Sequence, residues 1–198
     1  MPARLFALVI LACTAFAQDE RRVASPNGQI EFRLFIATQG NSNLSRIAYE
    51  VFFRGKPLVN TSFLGLDIQD QEPLLGENVG LTSSTSTIGS KYNSLIAKYM
   101  QNGSLGRLID IEVRAFDDRV AFRYVIPPST PLTEILIREE ATEFRSAPGA
   151  TFKVTESKSE TYPPMHLIHT DQATTMTRLD HPFQGTTPLT GPWRIIAP

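Results

Sequence analysis

The chain has 198 residues, of which 41% are hydrophobic and 20% are charged, and its formal net charge is −1. This length is enough for one domain with a sizeable core, or at most for two small ones. Because the net charge is close to zero, the composition gives no electrostatic reason to expect nucleic acid or an anionic membrane as a partner.

The N-terminal segment has the pattern of a secretory signal peptide. Arg4 supplies a positive charge, residues 5–12 form an apolar run, and Ala15-Phe16-Ala17 matches the small-x-small pattern that signal peptidase cleaves. The apolar run is too short to cross a bilayer as a helix, so no membrane span is predicted. We therefore expect residues 1–17 to be removed on export to the periplasm or the medium, with cleavage after Ala17.

Cys13 leaves a second interpretation of this leader open. The residues before it, Ile10-Leu11-Ala12, loosely resemble a bacterial lipoprotein box, although Leu11 is unusual at its position. Lipid anchoring at Cys13 is thus the alternative to cleavage after Ala17. With cleavage after Ala17 the exported protein contains no cysteine, so its stability must come from packing and not from disulfides.

The exported part divides into a short extension and one domain. Residues 18–24 are expected to be an N-terminal extension, and residues 25–198 to be the domain. Apolar and polar residues alternate with period 2 in four early segments, which predicts strands at 29–37, 46–53, 63–69 and 92–100. Between the last two, residues 70–90 are polar and weakly patterned, which predicts a loop with at most one short strand.

Residues 107–127 carry the clearest pattern of the sequence. Ile109, Ile111, Val113 and Ala115 share one face of a predicted strand, and Val120, Phe122, Tyr124 and Ile126 share one face of the next. The two strands are joined at Asp117-Asp118, and aspartate tolerates turn geometry. We interpret this pair as the bend of a hairpin and not as a catalytic dyad, since carboxylates at a loop tip stay solvated and ionised.

The remaining pattern completes an all-β prediction. A further strand is predicted at residues 134–138, followed by shorter apolar stretches and a strand-like tail at the C-terminus. No helix-length 3.6-residue period and no internal repeat occur in the exported part. Short strands separated by turn signals indicate an antiparallel β-sandwich.

Residues that could carry chemistry are few. His166 and His169 would point to opposite faces of a strand, and together with His181 they do not form a zinc pattern. No nucleophile elbow, P-loop or dinucleotide-binding fingerprint occurs. The acidic run at 138–143 is typical of a solvated face. Trp193 is expected to fill the core, and the alternative is that it forms a platform for a sugar ring. The residues alone predict a β-sandwich without a self-sufficient active site.

Several segments, taken in order, resemble the N-terminal domain of glycoside hydrolase family 97. They are "SPNGQIEFRL", "GKPLVNTSFLGLDI", "KYNSL", "LIDIEVRAFDDRVAFRYVIP", "EEATEF", "YPPMHL" and "TPLTGPWRII". The resemblance runs from about Ser25 to the C-terminus, and the long hairpin and the Pro-x-x-x-Pro-Trp-Arg run are its most specific parts. It implies a galactose-mutarotase-like super-sandwich, shortened here, which in exported α-glucosidases and α-galactosidases packs on a catalytic (β/α)₈ barrel and helps to shape the sugar site.

The resemblance also implies one calcium ligand at the junction with the barrel. In the family this ligand is a glutamate a few residues before a Tyr-Pro-Gly-Met segment, and Glu156, ahead of "YPPM" at 162–165, has that spacing. Calcium takes about six to eight oxygen ligands, so the barrel would have to supply the others. Thr155 and Pro164 depart from the family pattern, which has histidine and glycine there. The aromatic-rich stretch before the ligand is nearly missing as well.

These departures keep several functions open. Because both catalytic carboxyl groups of the family lie in the barrel, which this sequence lacks, we expect a non-catalytic module of an α-glucosidase or α-galactosidase. The sequence stops where the barrel should begin, which is also consistent with a remnant of a truncated or split gene. The alternatives are a free-standing carbohydrate-binding sandwich, a minimal enzyme of its own, and a fragment too incomplete to fold stably.

Overall fold

The computed structural model describes residues 18–38, 40, 44–103, 105–131, 137–148, 152–156, 166–169 and 174–178. Within these ranges the protein forms fifteen β-strands and no helix. It follows that the described residues include no helix of the length and apolarity needed to cross a membrane. The predicted all-β class is confirmed.

The strands are numbered in order along the sequence. Their bounds are β1 Gln18–Ala24, β2 Ile30–Thr38, β3 Ser45–Phe53, β4 Lys56–Phe63, β5 Leu66–Ile68, β6 Gln71–Leu75, β7 Val79–Thr87, β8 Asn93–Gln101, β9 Leu108–Ala115, β10 Arg119–Val125, β11 Ile137–Glu140, β12 Arg145–Ser146, β13 Phe152–Glu156, β14 His166–His169 and β15 Thr174–Arg178. The residues that the sequence predicts as an extension form β1, which pairs with β2.

Three sheets organise these strands. The first has the order β1-β2-β3-β4-β12, the second β13-β15-β14-β10-β9-β8-β7, and the small third sheet β11-β5-β6. Paired strands are antiparallel except for β13 and β15, which run parallel. The first two sheets share one hydrophobic core, so the predicted antiparallel β-sandwich is confirmed.

Aromatic rings from both large sheets meet at the centre of this core. Phe32 of β2 stacks on Tyr49 of β3 with ring centroids 5.3 Å apart. Phe122 of β10 lies 5.6 Å from the first ring and 5.1 Å from the second. Such offset and tilted contacts stabilise a core beyond the burial of their area. The inward faces that alternation predicts for β2, β9 and β10 are the faces that the structure buries.

The hairpin of β9 and β10 has its tip at the two aspartates, as predicted. Phe116 and Arg119 close the turn through a backbone hydrogen bond of 2.8 Å. Both aspartates are exposed. Asp118 pairs with Arg119, while Asp117 accepts a hydrogen bond of 2.8 Å from the backbone N–H of Asn27. The pair therefore bends the backbone and fixes the turn before β2 against the hairpin.

The segment predicted as a loop, residues 70–90, contains the two strands β6 and β7 instead. β7 pairs along almost its whole length with β8 and is the last strand of its sheet. Most of its serines and threonines are exposed, so it shows no alternation of apolar residues. An edge strand of β-branched threonines needs little burial, because its pairing with β8 supplies the hydrogen bonds.

The strand predicted at 63–69 is split in two. β4 ends at Phe63 and β5 begins at Leu66, so the backbone leaves the first sheet for the third at Leu64-Gly65. An added Cβ at position 65 would lie 2.0 Å from Cδ2 of Leu74, so a larger residue there would require the Leu74 side chain to move. The predicted strand at 134–138 overlaps β11, and its first three residues lie outside the described residues.

Three fully buried tyrosines differ in the hydrogen bonding of their hydroxyl groups. The Tyr124 hydroxyl accepts from the Gly65 N–H at 2.9 Å and lies 2.7 Å from the Thr142 hydroxyl. The Tyr49 hydroxyl donates to the Glu143 carbonyl at 2.8 Å. Among the described residues, the Tyr99 hydroxyl has no partner.

This difference predicts opposite outcomes for the same substitution. We expect Tyr124→Phe to lower the free energy of unfolding by about 1–3 kcal/mol, because it leaves the buried Gly65 N–H without an acceptor and removes the donor to the Thr142 oxygen. Tyr99→Phe removes an unsatisfied hydroxyl, so we expect it to leave that free energy unchanged or to raise it. Urea unfolding of both variants measures the contrast, and equal losses in the two would contradict it.

Candidate functional site

Glu156, the predicted calcium ligand, is the last residue of β13. Its Cα lies opposite that of Arg178 in the parallel neighbour β15, and β13 is the terminal strand of the seven-stranded sheet. The structure therefore places the backbone of Glu156 at an edge of the sandwich. The side chain of Glu156 lies outside what the structure describes.

The other residues that sequence analysis considered for metal or sugar binding are spread out. His166 and His169 are the two ends of β14, opposite Phe122 and Arg119 of β10, whereas His181 and Trp193 lie outside the described residues. No three His, Cys, Asp or Glu residues of the described ranges lie close enough together to hold a metal ion. Since calcium takes about six to eight oxygens, the described side chains do not make a complete calcium site.

The acidic run at 138–143 is only partly the solvated face that sequence predicts. Arg138 and Glu139 are exposed, but Glu140 is half-buried at the end of β11 and Thr142 is buried. Burial raises the pKa of the Glu140 carboxyl well above its usual range, although the hydrogen bond from Thr142 acts in the opposite direction. Glu140 is therefore the most perturbed carboxyl group of this run.

A directed series of hydrogen bonds ends on Glu140. The Thr142 hydroxyl donates to the carboxylate at 2.6 Å. Because a threonine hydroxyl has one proton, the hydroxyl of Tyr124 must be the donor in its contact of 2.7 Å with Thr142. The Tyr124 oxygen in turn accepts the Gly65 N–H. The series thus connects the break between β4 and β5 to β10 and to the end of β11.

Arg46 supports the same region from β3. It is 6% exposed, its Nε donates to the Leu64 carbonyl at 2.8 Å, and its Nη2 donates to the Ala141 carbonyl. Backbone hydrogen bonds of 2.9 Å and 2.8 Å join Ala141 to Gly65 and Glu143 to Phe63. The guanidinium therefore donates hydrogen bonds to two carbonyls that lie outside the strand ladders, and it holds their two segments together.

A second buried arginine, Arg107, holds β6. It is 3% exposed, its Nε donates to the Gln101 side-chain oxygen at 2.7 Å, and its two other nitrogens donate to the carbonyls of Gln71 and Pro73. Burial lowers the pKa of its guanidinium, while nearby Glu72 acts in the opposite direction. Arg107 therefore fixes the peptide around the cis bond between Glu72 and Pro73.

A small cavity lies beside this arginine. Its volume is about 120 Å³, and its lining includes Glu72, Asn102, Leu105 and Arg107. Pockets that enclose small-molecule ligands usually have about 300–1,000 Å³. The cavity is therefore smaller than a pocket that encloses a ligand.

Asp110 of β9 is the other described carboxyl with a raised pKa. It is 8% exposed, and burial raises its pKa while Lys98, its neighbour on β8, opposes the shift. Neither Asp110 nor Glu140 lines the cavity. Glycoside hydrolysis of the usual kind needs two carboxyl groups facing each other across a cleft, about 5–10 Å apart. The described residues do not show such an arrangement.

Comparison with known proteins identifies the fold. A sequence model for the family described as "Glycosyl-hydrolase 97 N-terminal" matches residues 23–153. The match ends three residues before Glu156. No curated protein matches this sequence.

Solved structures with the same fold include a glycoside hydrolase family 97 enzyme from Pseudoalteromonas sp. strain K8, in complexes with panose and with acarbose. Both complexes have 20% sequence identity to this protein and a TM-score of 0.52, over 76% of its length and 27% of theirs. A β-arabinopyranosidase has 23% identity and a TM-score of 0.52, over 66% of this protein and 22% of its own length. The match thus spans only about a quarter of the length of the solved enzymes.

The perturbed carboxyl of Glu140 predicts a pH dependence of stability. Its pKa is higher in the folded protein than the value of about 4.3 in an unfolded one, so the folded state binds the proton more tightly. The contribution of Glu140 is therefore most favourable below the unfolded pKa and is lost as the pH rises through the folded pKa. Glu140→Gln keeps an acceptor for Thr142 but cannot ionise.

We expect Glu140→Gln to gain stability relative to the unmodified protein as the pH rises from acidic to neutral. Urea unfolding across this pH range measures the difference between the two proteins. Glu139→Gln is the matched control, because Glu139 is exposed on the same strand. A difference that is independent of pH, or the same difference in the control, would contradict the assignment.

Proposed function

The chain belongs to the glycosyl-hydrolase 97 N-terminal family, and on this basis we propose that it is the non-catalytic β-sandwich of a family 97 glycosidase. In this role it packs on a catalytic (β/α)₈ barrel and helps to shape the sugar site. The observation that carries the proposal is the match of the family over residues 23–153, the part of the protein that contains the core of the sandwich.

The state of the described carboxyl groups supports a non-catalytic role. Glu140 is held by Thr142, and Asp110 lies against Lys98 on the neighbouring strand, so each is engaged within the fold. A general acid and a nucleophile or base would both have to face a sugar in one cleft. The proposal therefore assigns bond cleavage to residues of the barrel.

The whole enzyme is proposed to act on an α-glucoside or an α-galactoside. Support comes from the Pseudoalteromonas enzyme, which was solved with panose and with acarbose. Export through the leader at residues 1–17 is part of the same proposal, because an enzyme that acts on extracellular saccharides has to leave the cytoplasm. Its support is the signal-peptide pattern that ends at Ala17.

Glu156 is proposed to give one carboxylate to a calcium ion shared with the barrel. The spacing of Glu156 to "YPPM" supports this assignment, as does its backbone position at the end of a terminal strand, where a second domain can approach. A bound calcium ion would supply a fixed positive charge at the junction. One carboxylate leaves most of the coordination sphere to other groups, so the ion would bind well only in the assembled enzyme.

Activity and sugar binding of the purified protein test the main proposal. We expect no release of p-nitrophenol from p-nitrophenyl α-glucoside or α-galactoside, and no heat on calorimetric titration with maltose or melibiose. Release that Glu156→Gln abolishes would overturn the proposal in favour of a minimal enzyme. Heat of sugar binding without hydrolysis would overturn it in favour of a free-standing carbohydrate-binding sandwich.

Calcium titration tests the shared site. Extracellular calcium modules bind the ion with dissociation constants of about 10⁻⁴–10⁻³ M, and we expect this protein by itself to bind more weakly than they do. The melting temperature should therefore not change at calcium concentrations that saturate such modules. Tight binding that is lost in Glu156→Gln, but kept in the control Glu160→Gln, would show that the sandwich completes the site without the barrel.

A further inference from the structure

Two Asn-Gly dipeptides occur in the sequence, Asn27-Gly28 and Asn102-Gly103. Asparagine followed by glycine is prone to loss of its side-chain amide, because glycine has no Cβ to hinder attack by its own backbone nitrogen. The reaction needs that nitrogen to be free and the asparagine side chain to rotate. The structure gives the two dipeptides different surroundings in both respects.

The side chain of Asn27 is held in place. Its Oδ1 accepts hydrogen bonds from the Ser25 hydroxyl at 2.7 Å and from the Gln29 N–H at 3.0 Å. The attacking nitrogen is also engaged, since the Gly28 N–H donates to the Ser25 carbonyl at 2.8 Å. Asp117 of the hairpin fixes this turn from the other side. Three hydrogen bonds must therefore break before the Gly28 nitrogen can attack Asn27.

Asn102 is held much less firmly in the turn between β8 and β9. It is exposed, and its side-chain amide makes one long contact of 3.4 Å, to the Asn78 side chain. Its own backbone N–H donates to the Asn78 carbonyl at 2.8 Å, whereas its carbonyl, which belongs to the following peptide, accepts only one long contact of 3.5 Å from the Asn78 side-chain amide.

The nitrogen that attacks Asn102 belongs to Gly103, which is exposed. Its N–H has no partner among the residues that the structure describes, and its φ of 137° lies in the region that glycine adopts easily. No atom lies within 4 Å of the position that a Cβ would take there. Among the described contacts, the peptide that has to rotate for attack on Asn102 is therefore held only by the long bond of its carbonyl to the Asn78 side chain.

We infer that Asn102 is a site of spontaneous covalent modification in the folded protein. The backbone nitrogen of Gly103 attacks Cγ of Asn102, a new C–N bond closes a succinimide ring, and the bond between Cγ and Nδ2 breaks to release ammonia. Water then opens the ring on either side, which leaves aspartate or isoaspartate and restores the proton to the Gly103 nitrogen. No oxidant or cofactor is required.

The modification would change the cavity beside Arg107. Asn102 and Gly103 both line this cavity. Either product adds a negative charge near a guanidinium whose acceptors in the described structure are neutral oxygens. Isoaspartate also lengthens the backbone of the turn by one carbon atom.

The experiment ages the full-length protein in mildly alkaline buffer and follows both sites in one sample. Trypsin cleaves after Arg22 and Arg33 and after Lys98 and Arg107, so the sites fall in separate peptides, 23–33 and 99–107. Mass spectrometry then measures the conversion of each asparagine, and an isoaspartate assay identifies the product. We expect conversion of Asn102 to be at least about tenfold faster than that of Asn27, a difference of about 1.4 kcal/mol in activation free energy.

A parallel sample in urea is the control for structure. We expect the two rates to approach each other there, because the hydrogen bonds around Asn27 are gone. Asn102→Gln should abolish conversion in peptide 99–107 and leave peptide 23–33 unchanged. Similar native rates, faster conversion of Asn27, or a tenfold ratio that persists in urea would each overturn the inference.

Discussion

The architecture depends on satisfying the buried backbone at one break, Leu64-Gly65, where the polypeptide leaves the first sheet for the third. Both residues are buried, and neither belongs to a strand. A peptide group left unpaired there would destabilise the folded state by about the free energy of one hydrogen bond. Arg46 donates a hydrogen bond to the Leu64 carbonyl, and the Tyr124 hydroxyl accepts one from the Gly65 N–H. Two side chains, one from each large sheet, therefore supply hydrogen bonds that a neighbouring strand would otherwise supply.

This replacement explains why charged groups are buried at the margins of the core and not at its centre. The arginines at 46 and 107 both donate to main-chain carbonyls, Arg46 to residues between strands and Arg107 to residues of β6. A buried guanidinium is costly unless its donors are used, and carbonyls that no neighbouring strand pairs with can accept them. The small third sheet is thus attached by polar contacts as well as by packing, since Leu66, Ile68 and Leu75 belong to the same buried core as the two large sheets.

Sequence alone could predict the packed part of this structure but not the polar attachments. Alternation identified β2, β3, β8, β9 and β10, because strands with one face in the core carry a period of 2. Alternation failed for β7, because a strand paired at a sheet edge leaves no such signal. It also failed to predict the split at Gly65, since one glycine in an apolar run is compatible with a continuous strand. Tyr124 fits an apolar pattern whether or not its hydroxyl is bonded, and Arg46 stands at a strand end with no motif around it. Glu156 entered only through family resemblance, because a single glutamate has no local signature.

The same division bears on the proposal that a second domain carries the chemistry. An acid-base pair requires carboxyl groups that are shifted in pKa and still reach a substrate. At Glu140 burial meets the first condition, the shifted pKa. It opposes the second condition, access to a substrate, because the carboxyl is engaged by Thr142 at the join between sheets. Exposed carboxyl groups at hairpin tips, such as those of Asp117 and Asp118, meet the second condition. A cleft against another domain could provide both conditions together, since docking buries a group at the edge of the sandwich while a substrate still reaches it from the open side.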